Sequence, residues 1–169
     1  MTEPRTDADT ILVVTTGGTI DKVYFDARSN FEVGDSVVGD LLRQARVGVP
    51  FEIVPVLRKD SLDLDDADRA RIRDTIAERA HRRVVITHGT DTMTETAERL
   101  RGLKARTVVL TGSLSPARFA RTDAVFNVGM AFAAAQLLPP GVYIAMSGRV
   151  FEAGHVRKDR ERNEFVPEE

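Results

Sequence analysis

The chain has 169 residues, of which 42% are hydrophobic and 30% charged, and its formal net charge is −2. This length suits one domain with a substantial core, and the balanced charge gives no electrostatic signal for nucleic acid or for an anionic membrane. Cysteine is absent, which excludes disulfides, thiolate metal ligands and thiol nucleophiles. The histidines are scattered without metal-ligand spacing, and no apolar run is long enough for a transmembrane helix.

The first nine residues are polar and acidic rather than basic and then apolar, which is not the pattern of a signal peptide. We therefore expect a disordered lead over residues 1–9, a single domain over residues 10–169 and a cytoplasmic protein.

The first predicted strand, Ile11–Val14, leads into two threonines, two glycines and then Thr19. Glycines at such a position allow positive φ and a close approach of another group to the backbone. Ligands of open α/β sheets bind beyond the carboxyl ends of the strands, which is where Thr19 lies. A tight turn in which Thr19 only caps the next element explains the same residues.

The polar stretch Asp21–Gly34 follows no strand or helix period and predicts a long loop, which is either functional, often as a lid, or disordered. Ser36 is the predicted N-cap of a short helix. Four more strands are predicted at Phe51–Leu57, Arg83–Thr87, Thr107–Leu110 and Val142–Met146. Helices are predicted from about Asp65 to Arg82, from Thr92 to the stop at Gly102, and from Asp123 to the stop at Pro139. The segment from Ser147 onward is predicted to be a polar tail.

Two later helix starts are also predicted from capping residues. Thr92 and Glu95 have the spacing of a capping box, and Asp123 can cap the last helix. The predicted buried face of that last helix consists of Phe126, Met130, Ala133 and Leu137.

Strands alternate with helices along the whole chain, which indicates a parallel sheet. We therefore predict an α/β fold: a single doubly wound, mainly parallel sheet with helices on both faces and a flavodoxin-like strand order.

Four predicted strands end in turns rich in glycine and hydroxyl side chains. Because parallel strands send their carboxyl ends to one edge of the sheet, these turns are expected to surround a common crevice. Each turn alone is also explained by helix capping and turn formation. The turns are Thr16–Thr19, Asp60–Ser61, His88–Thr92 and Thr111–Ser113.

Without cysteine, the available nucleophiles are hydroxyls, and a threonine hydroxyl needs a neighbouring base to attack a carbonyl. Asp91 can hold a lysine that accepts the proton, and backbone N–H groups at the glycine turn can form an oxyanion hole. A plain helix cap explains Asp91 equally well. The stretch Thr15–Ile20 does not match the spacing of nucleotide-binding glycine motifs, which weakens a nucleotide-binding interpretation.

Together these turns resemble the bacterial-type L-asparaginase family of amidohydrolases. The main matching motifs are Thr16-Gly17-Gly18-Thr19-Ile20 and the run Val85–Thr96, which contains His88-Gly89-Thr90-Asp91-Thr92. The resemblance extends from Thr10 to Lys158 and corresponds to the larger, N-terminal domain of the family.

The resemblance implies a role for each matching position. It assigns the nucleophile to Thr19 and a proton relay to Thr90, Asp91 and Lys158. By its own sequence context, Lys158 lies in a basic run that is usually a solvated tail.

The implied reaction is hydrolysis of L-asparagine to L-aspartate and ammonia through an acyl-enzyme, without a cofactor or metal. The resemblance also implies contact of Gly18, Asp60, Ser61 and Gly89 with the substrate, with Ser61 at its α-carboxylate.

Three departures from the family pattern affect these expectations. The tyrosine near the nucleophile falls on Phe31, and Tyr24 is the candidate replacement. Leu62 stands where many members carry a polar residue. No counterpart of the smaller C-terminal domain is present, which leaves a short-chain asparaginase or an inactive chain. We expect the short-chain enzyme, as a homo-oligomer with a dimer favoured.

Two other functions are compatible with the same turns. One is a non-catalytic amino-acid-binding module, and the other is an amidotransferase-type glutaminase. The near-neutral charge of the chain argues against the tRNA-directed form of the latter.

Overall fold

The computed structural model describes residues 9–24 and 31–168. Within these ranges the strands are β1 (Ile11–Gly17), β2 (Lys22–Tyr24), β3 (Phe31–Val33), β4 (Phe51–Lys59), β5 (Arg83–Thr87), β6 (Thr107–Thr111), β7 (Gly141–Met146), β8 (Arg149–Glu152), β9 (Val156–Asp159) and β10 (Glu164–Pro167). The α-helices are α1 (Val38–Gln44), α2 (Asp66–Ala77), α3 (Met93–Leu100) and α4 (Ala124–Leu137), and short 3₁₀ turns occupy Thr19–Asp21 and Ser61–Asp63. The predicted disordered lead falls outside the described residues except for Asp9.

The central sheet has six strands in the order β4-β1-β5-β6-β7-β8. The first five are parallel, and β8 pairs antiparallel with β7 at the edge. Numbered along the chain, the parallel strands have the order 2-1-3-4-5 of flavodoxin-like folds. The predicted mainly parallel α/β sheet is confirmed.

Strand β1 lies in the middle of the core and is buried along its whole length. Its side chains alternate between the two faces of the sheet. Leu12 and Val14 belong to the core under α2 and α3, while Ile11 and Val13 belong to the core under α1 and α4. This double burial explains why the run is continuously apolar.

The predicted strands are confirmed, but four of them are longer than predicted, β6 and β7 by one residue each. Strand β1 continues to Gly17 and β4 continues to Lys59, so both reach further toward the site. Helix α2 ends at Ala77, short of the predicted Arg82, because the chain must leave the helix before β5 begins at Arg83.

Helix α4 turns a different face to the core than predicted. Phe126 is 66% exposed and Leu137 is 82% exposed, while Ala133 is exposed and Met130 only half-buried. The helix is apolar on almost all sides, so its period does not single out one face, and the smaller side chains allow closer packing on the sheet. The residues that it buries are Ala124, Asn127, Val128, Ala131, Phe132, Ala134 and Ala135.

Two of the three predicted capping interactions are wrong, and at the third the N-cap of α1 is Val37 rather than Ser36. The Thr92 hydroxyl donates to the carbonyl oxygen of Ser61, 2.7 Å away, and makes no cap hydrogen bond in α3. Asp123 occupies the N-cap position of α4, but its carboxylate accepts from the backbone N–H groups of Leu114 and Ser115. In both cases a tertiary contact replaces the local one.

The segment after Ser147 is not a tail. Strand β8 extends the sheet, and β9 and β10 form an antiparallel hairpin. Val156 and Phe165 in this hairpin are buried in the core under α2 and α3. The many charged residues between them conceal this pattern in the sequence.

The stretch Asp21–Gly34 also contains strands, because β2 and β3 pair antiparallel. Residues 25–30 between them lie outside the described residues. Within the described ranges, no helix combines the length and apolarity needed to cross a membrane.

Candidate active site

Three turns pack backbone against backbone beyond the carboxyl ends of β1, β4 and β5. A Cβ atom on Gly18 would lie 2.4 Å from the backbone nitrogen of Gly89. A Cβ atom on Gly89 would in turn lie 2.6 Å from the Cβ of Ser61. Gly18 also has a φ of 89°, which side-chain-bearing residues rarely adopt. The two glycines therefore allow the predicted site turns to come together.

Hydrogen bonds connect the same turns. The Gly18 N–H donates to the carbonyl oxygen of Lys59 over 3.0 Å, which joins the end of β1 to the end of β4. The Thr16 hydroxyl donates to the carbonyl oxygen of Thr87 over 2.8 Å, which joins β1 to β5. These contacts fix the backbone immediately before Thr19.

Thr19 begins the first 3₁₀ turn and is half-buried. Asp21 closes that turn, and its carboxylate accepts from the Val37 N–H at 3.1 Å. Burial raises the pKa of Asp21 above its ordinary value. The carbonyl oxygen of Asp21 accepts from the Gly34 N–H and from Arg118, so the candidate nucleophile lies on an anchored turn.

Lys158 contacts both polar side chains of the turn after β5. Its Nζ lies 2.8 Å from Thr90 Oγ1 and 2.7 Å from Asp91 Oδ1. The lysine side chain is only 10% exposed, and Thr90 is buried as well. The resemblance predicts this group of three residues, and the fold brings them together from positions far apart in sequence.

Asp60 caps the second 3₁₀ turn by accepting from the Leu62 N–H at 3.2 Å. Its carboxylate also lies 2.9 Å from Lys22 Nζ. Partial burial alone would raise the pKa of Asp60, but the hydrogen bond and charge of Lys22 together with backbone N–H groups hold it below its ordinary value. Asp60 is therefore a carboxylate at the rim of the three turns.

Ser61 is almost completely buried between Asp60 and the Gly89 turn. Among the described residues, its Oγ has no hydrogen-bond partner. A buried hydroxyl of this kind is normally satisfied by a partner, because leaving it without one costs free energy. Ser61 is thus suited to bind a polar ligand atom.

Tyr24 is the last residue of β2, and in the register of the hairpin it lies directly opposite Phe31. The side chains of both residues lie outside the described part of the structure. The role expected for Tyr24 therefore stays a prediction. Over the described ranges, no three His, Asp or Glu side chains are grouped so that they could hold a metal ion.

Comparison with known proteins identifies the family of this chain. A family model described as "Asparaginase, N-terminal" matches residues 10–164. The chain belongs to the asparaginase family. The L-asparaginase of Thermococcus kodakarensis is 31% identical over 160 residues, which are 88% of this chain and 47% of that protein.

Solved structures of the asparaginase family have the same fold. The thermostable L-asparaginase from T. kodakarensis superposes with a TM-score of 0.80 at 29% identity, and covers 94% of this chain. L-asparaginase I from Vibrio cholerae gives 0.80 at 27% identity, and the probable cytoplasmic L-asparaginase from Campylobacter jejuni gives 0.78 at 27%. The chain spans about half the length of these relatives, 51% in each structure.

Sequence reasoning missed two contributors to this asparaginase-type site. Lys22 follows the 3₁₀ turn of Thr19 and pairs with Asp60, a contact that needs the fold of the β2–β3 hairpin. His88 lies inside the family motif, yet it is completely buried, and burial lowers its pKa to about 4. Its position directly after the apolar strand β5 is the signal that could have marked it as an internal residue.

Proposed function

We propose that this chain is an amidohydrolase that converts L-asparagine and water to L-aspartate and ammonia, with Thr19 as the nucleophile. The observation that carries this proposal is the bridge of Lys158 to Thr90 and Asp91, in a turn that touches the Thr19 turn through Gly18 and Gly89. A nucleophile, a charge relay and a glycine-rich backbone are the parts that acyl transfer from an amide requires.

The first step is attack of Thr19 Oγ1 on the side-chain carboxamide carbon of asparagine. The hydroxyl proton passes to Tyr24 or into the relay of Lys158, Asp91 and Thr90. The tetrahedral intermediate then breaks its C–N bond, and the amide nitrogen leaves as ammonia after it takes up a proton. Water next attacks the aspartyl ester, which releases aspartate and returns the proton to Thr19.

The polar groups beside this reaction suit the α-substituents of the substrate. The buried hydroxyl of Ser61 can donate to the α-carboxylate, and this satisfies an atom with no partner in the described chain. The carboxylates of Asp60 and Asp91 are available for the α-ammonium group, with Asp60 held ionised by Lys22. Gly18 and Gly89 allow the turns that carry these groups to pack against one another.

We infer that the chain forms a homo-oligomer, with a dimer favoured, and that it acts in the cytoplasm. Val125, Phe126 and Leu137 expose 53%, 66% and 82% of their surface on one helix, which favours association. A structural relative is described as a probable cytoplasmic L-asparaginase. Light scattering should give the mass of a dimer, which Phe126→Lys should lower. A wild-type monomer at all concentrations contradicts this inference.

The decisive experiment measures ammonia release from asparagine and from glutamine by wild type, Thr19→Ala and a control, Thr75→Ala, in α2. We expect activity on asparagine that Thr19→Ala abolishes and Thr75→Ala leaves unchanged. Full ammonia release by Thr19→Ala would refute the proposal. Binding of asparagine without ammonia release would identify an amino-acid-binding module, and activity confined to glutamine would identify an amidotransferase-type glutaminase.

A further inference from the structure

A continuous chain of hydrogen bonds lies behind the Gly89 turn. Arg69 Nε lies 3.2 Å from Thr96 Oγ1, which lies 2.8 Å from His88 Nε2. His88 Nδ1 in turn lies 2.7 Å from the carbonyl oxygen of Gly89. His88 and Thr96 are completely buried, and Arg69 is 7% exposed. The chain thus connects α2 and α3 to a backbone atom of the candidate site.

The direction of every hydrogen bond in this chain follows from its end members. The Gly89 carbonyl oxygen can only accept, so His88 Nδ1 carries a proton and donates. His88 is neutral at pH 7, since burial lowers its pKa to about 4, and its Nε2 therefore accepts from the Thr96 hydroxyl. Arg69 can only donate, and its Nε–H donates a hydrogen bond to Thr96 Oγ1. Each polar atom is therefore assigned as donor or acceptor in each bond, and His88 is the Nδ1–H tautomer.

The last bond of the chain sets the orientation of a peptide group. The described chain has no cis peptide bond, so the Gly89 carbonyl and the Thr90 N–H point in opposite directions. Because the carbonyl points to the buried imidazole, the Thr90 N–H points away from it. The Thr90 side chain on the same residue contacts Lys158, and the Gly89 backbone contacts Gly18. A fixed N–H group beside a nucleophile turn is a typical donor to an oxyanion.

We propose that Arg69, Thr96 and His88 are positioning residues, which hold the Gly89–Thr90 peptide in the orientation that acyl transfer at Thr19 requires. The inference rests on the proposed amidohydrolase function. Thr96 is the central member, because its hydroxyl donates to the Nε2 of His88 and so stabilises the tautomer whose Nδ1–H donates to the Gly89 carbonyl oxygen.

The surroundings of the Arg69–Thr96–His88 hydrogen-bond chain argue against a purely stabilising role. The arginine charge is buried, while its carboxylate partner Glu95 is 64% exposed. Buried charges and polar groups cost desolvation free energy, and apolar side chains of similar size often stabilise a core as well or better. The hydrogen-bond chain ends on the Gly89 carbonyl oxygen at the site, so a role in orienting the Gly89–Thr90 peptide explains why these polar groups are buried.

The kinetic test compares Thr96→Val, Thr96→Ser and a control, Thr107→Val. Thr107 is also buried and donates to a carbonyl oxygen, that of Leu138, but it lies at the opposite end of the sheet. We expect Thr96→Val to lower kcat on asparagine by about a hundredfold with KM nearly unchanged, as for loss of one oxyanion donor. Thr96→Ser should restore kcat, and Thr107→Val should not lower it. Wild-type kcat in Thr96→Val, or equal losses in both valine variants, would overturn the proposal.

A second test is independent of activity. Protein with ¹⁵N-labelled histidine reports the tautomer of His88 at pH 7, with His81→Gln and His155→Gln used to assign the other two rings. We expect the Nδ1–H tautomer in wild type, and altered His88 ring signals in Thr96→Val. An Nε2–H tautomer in wild type would overturn the positioning role. The expected tautomer in an enzyme that releases no ammonia would support the positioning of the peptide and count against the proposed function alone.

Discussion

Lys158 and Phe165 lie directly opposite each other in the β9–β10 hairpin. Phe165 is completely buried in the core under α2 and α3, while Lys158 reaches Thr90 and Asp91 with its ammonium group. The hydrophobic core therefore holds the strand that delivers the lysine. Burial of one side chain fixes the position of a functional group across the hairpin.

We predict that Phe165→Ala lowers both stability and activity. Loss of a buried phenylalanine typically costs about 3–5 kcal/mol of the free energy of unfolding. Because the hairpin loses its anchor, kcat for ammonia release should fall even at temperatures where the variant is folded. The control is Val150→Ala, which truncates an apolar side chain that is 42% exposed and should cost little stability. Denaturant unfolding and kinetics at low temperature separate the two effects, and unchanged kcat in folded Phe165→Ala would contradict the prediction.

We predict that Lys158 and Asp91 act as one unit. Lys158→Met should lower kcat by about 10²–10⁴-fold, the range for loss of a group in general acid–base catalysis. Asp91→Asn should have a similar effect. The double variant should be little worse than either single variant, because the carboxylate and the lysine serve the same proton transfer. Lys104→Met, at an exposed position, is the control. Strictly additive losses would contradict a joint role.

Strands β1, β5 and β6 were predictable because they are short, largely apolar runs buried on both faces. A strand that is buried on both faces is apolar at nearly every position, and turn residues mark both ends of each run. The glycine turn and the motif around Gly89 were also predictable, since close backbone approach requires glycine at these positions.

Features that depend on tertiary partners were not predictable. Thr92 and Asp123 have the sequence signature of helix caps, but distant backbone groups compete for their side chains. Helix α4 is apolar on nearly every side, so the face that it buries depends on which side chains let it pack closely against the sheet. Phe165 is isolated among charged residues, and without its hairpin partner nothing shows that it is buried.

We predict that Gly89→Ala disables the site. The new Cβ would lie 2.6 Å from the Cβ and 2.7 Å from the Oγ of Ser61, so the Ser61 turn must move. A displacement of this size at a substrate-binding group typically costs about a hundredfold in kcat/KM. Gly129→Ala is the control, because an added Cβ there has no atom within 4 Å, and alanine in a helix should stabilise the fold by about 0.5–1 kcal/mol. Wild-type kinetics in Gly89→Ala would show that Ser61 does not need its present position.

Stability should decrease in mild acid because of His88. Its pKa is lowered from 6.5 to about 4, so between these pH values the unfolded chain binds a proton that the folded chain does not. The free energy of unfolding should therefore fall as the pH drops from about 6.5 to about 4, by about 3 kcal/mol from this group. The neighbouring charge of Arg69 acts in the same direction as burial.

The other groups with shifted pKa values change the free energy of unfolding differently, and their effects can be separated from that of His88. The raised pKa of Asp21 works in the opposite direction and offsets part of this loss, because folded Asp21 takes up its proton more readily than the unfolded chain. Asp60, Asp68 and Asp159 have lowered pKa values, so their contributions are lost only below the ordinary carboxylate value of 3.8. Urea unfolding from pH 7 to pH 4 should thus show a steep slope in wild type and in His155→Gln. His88→Gln should be less stable at pH 7, but its slope should be nearly flat. The same slope in both histidine variants would mean that another group binds the proton.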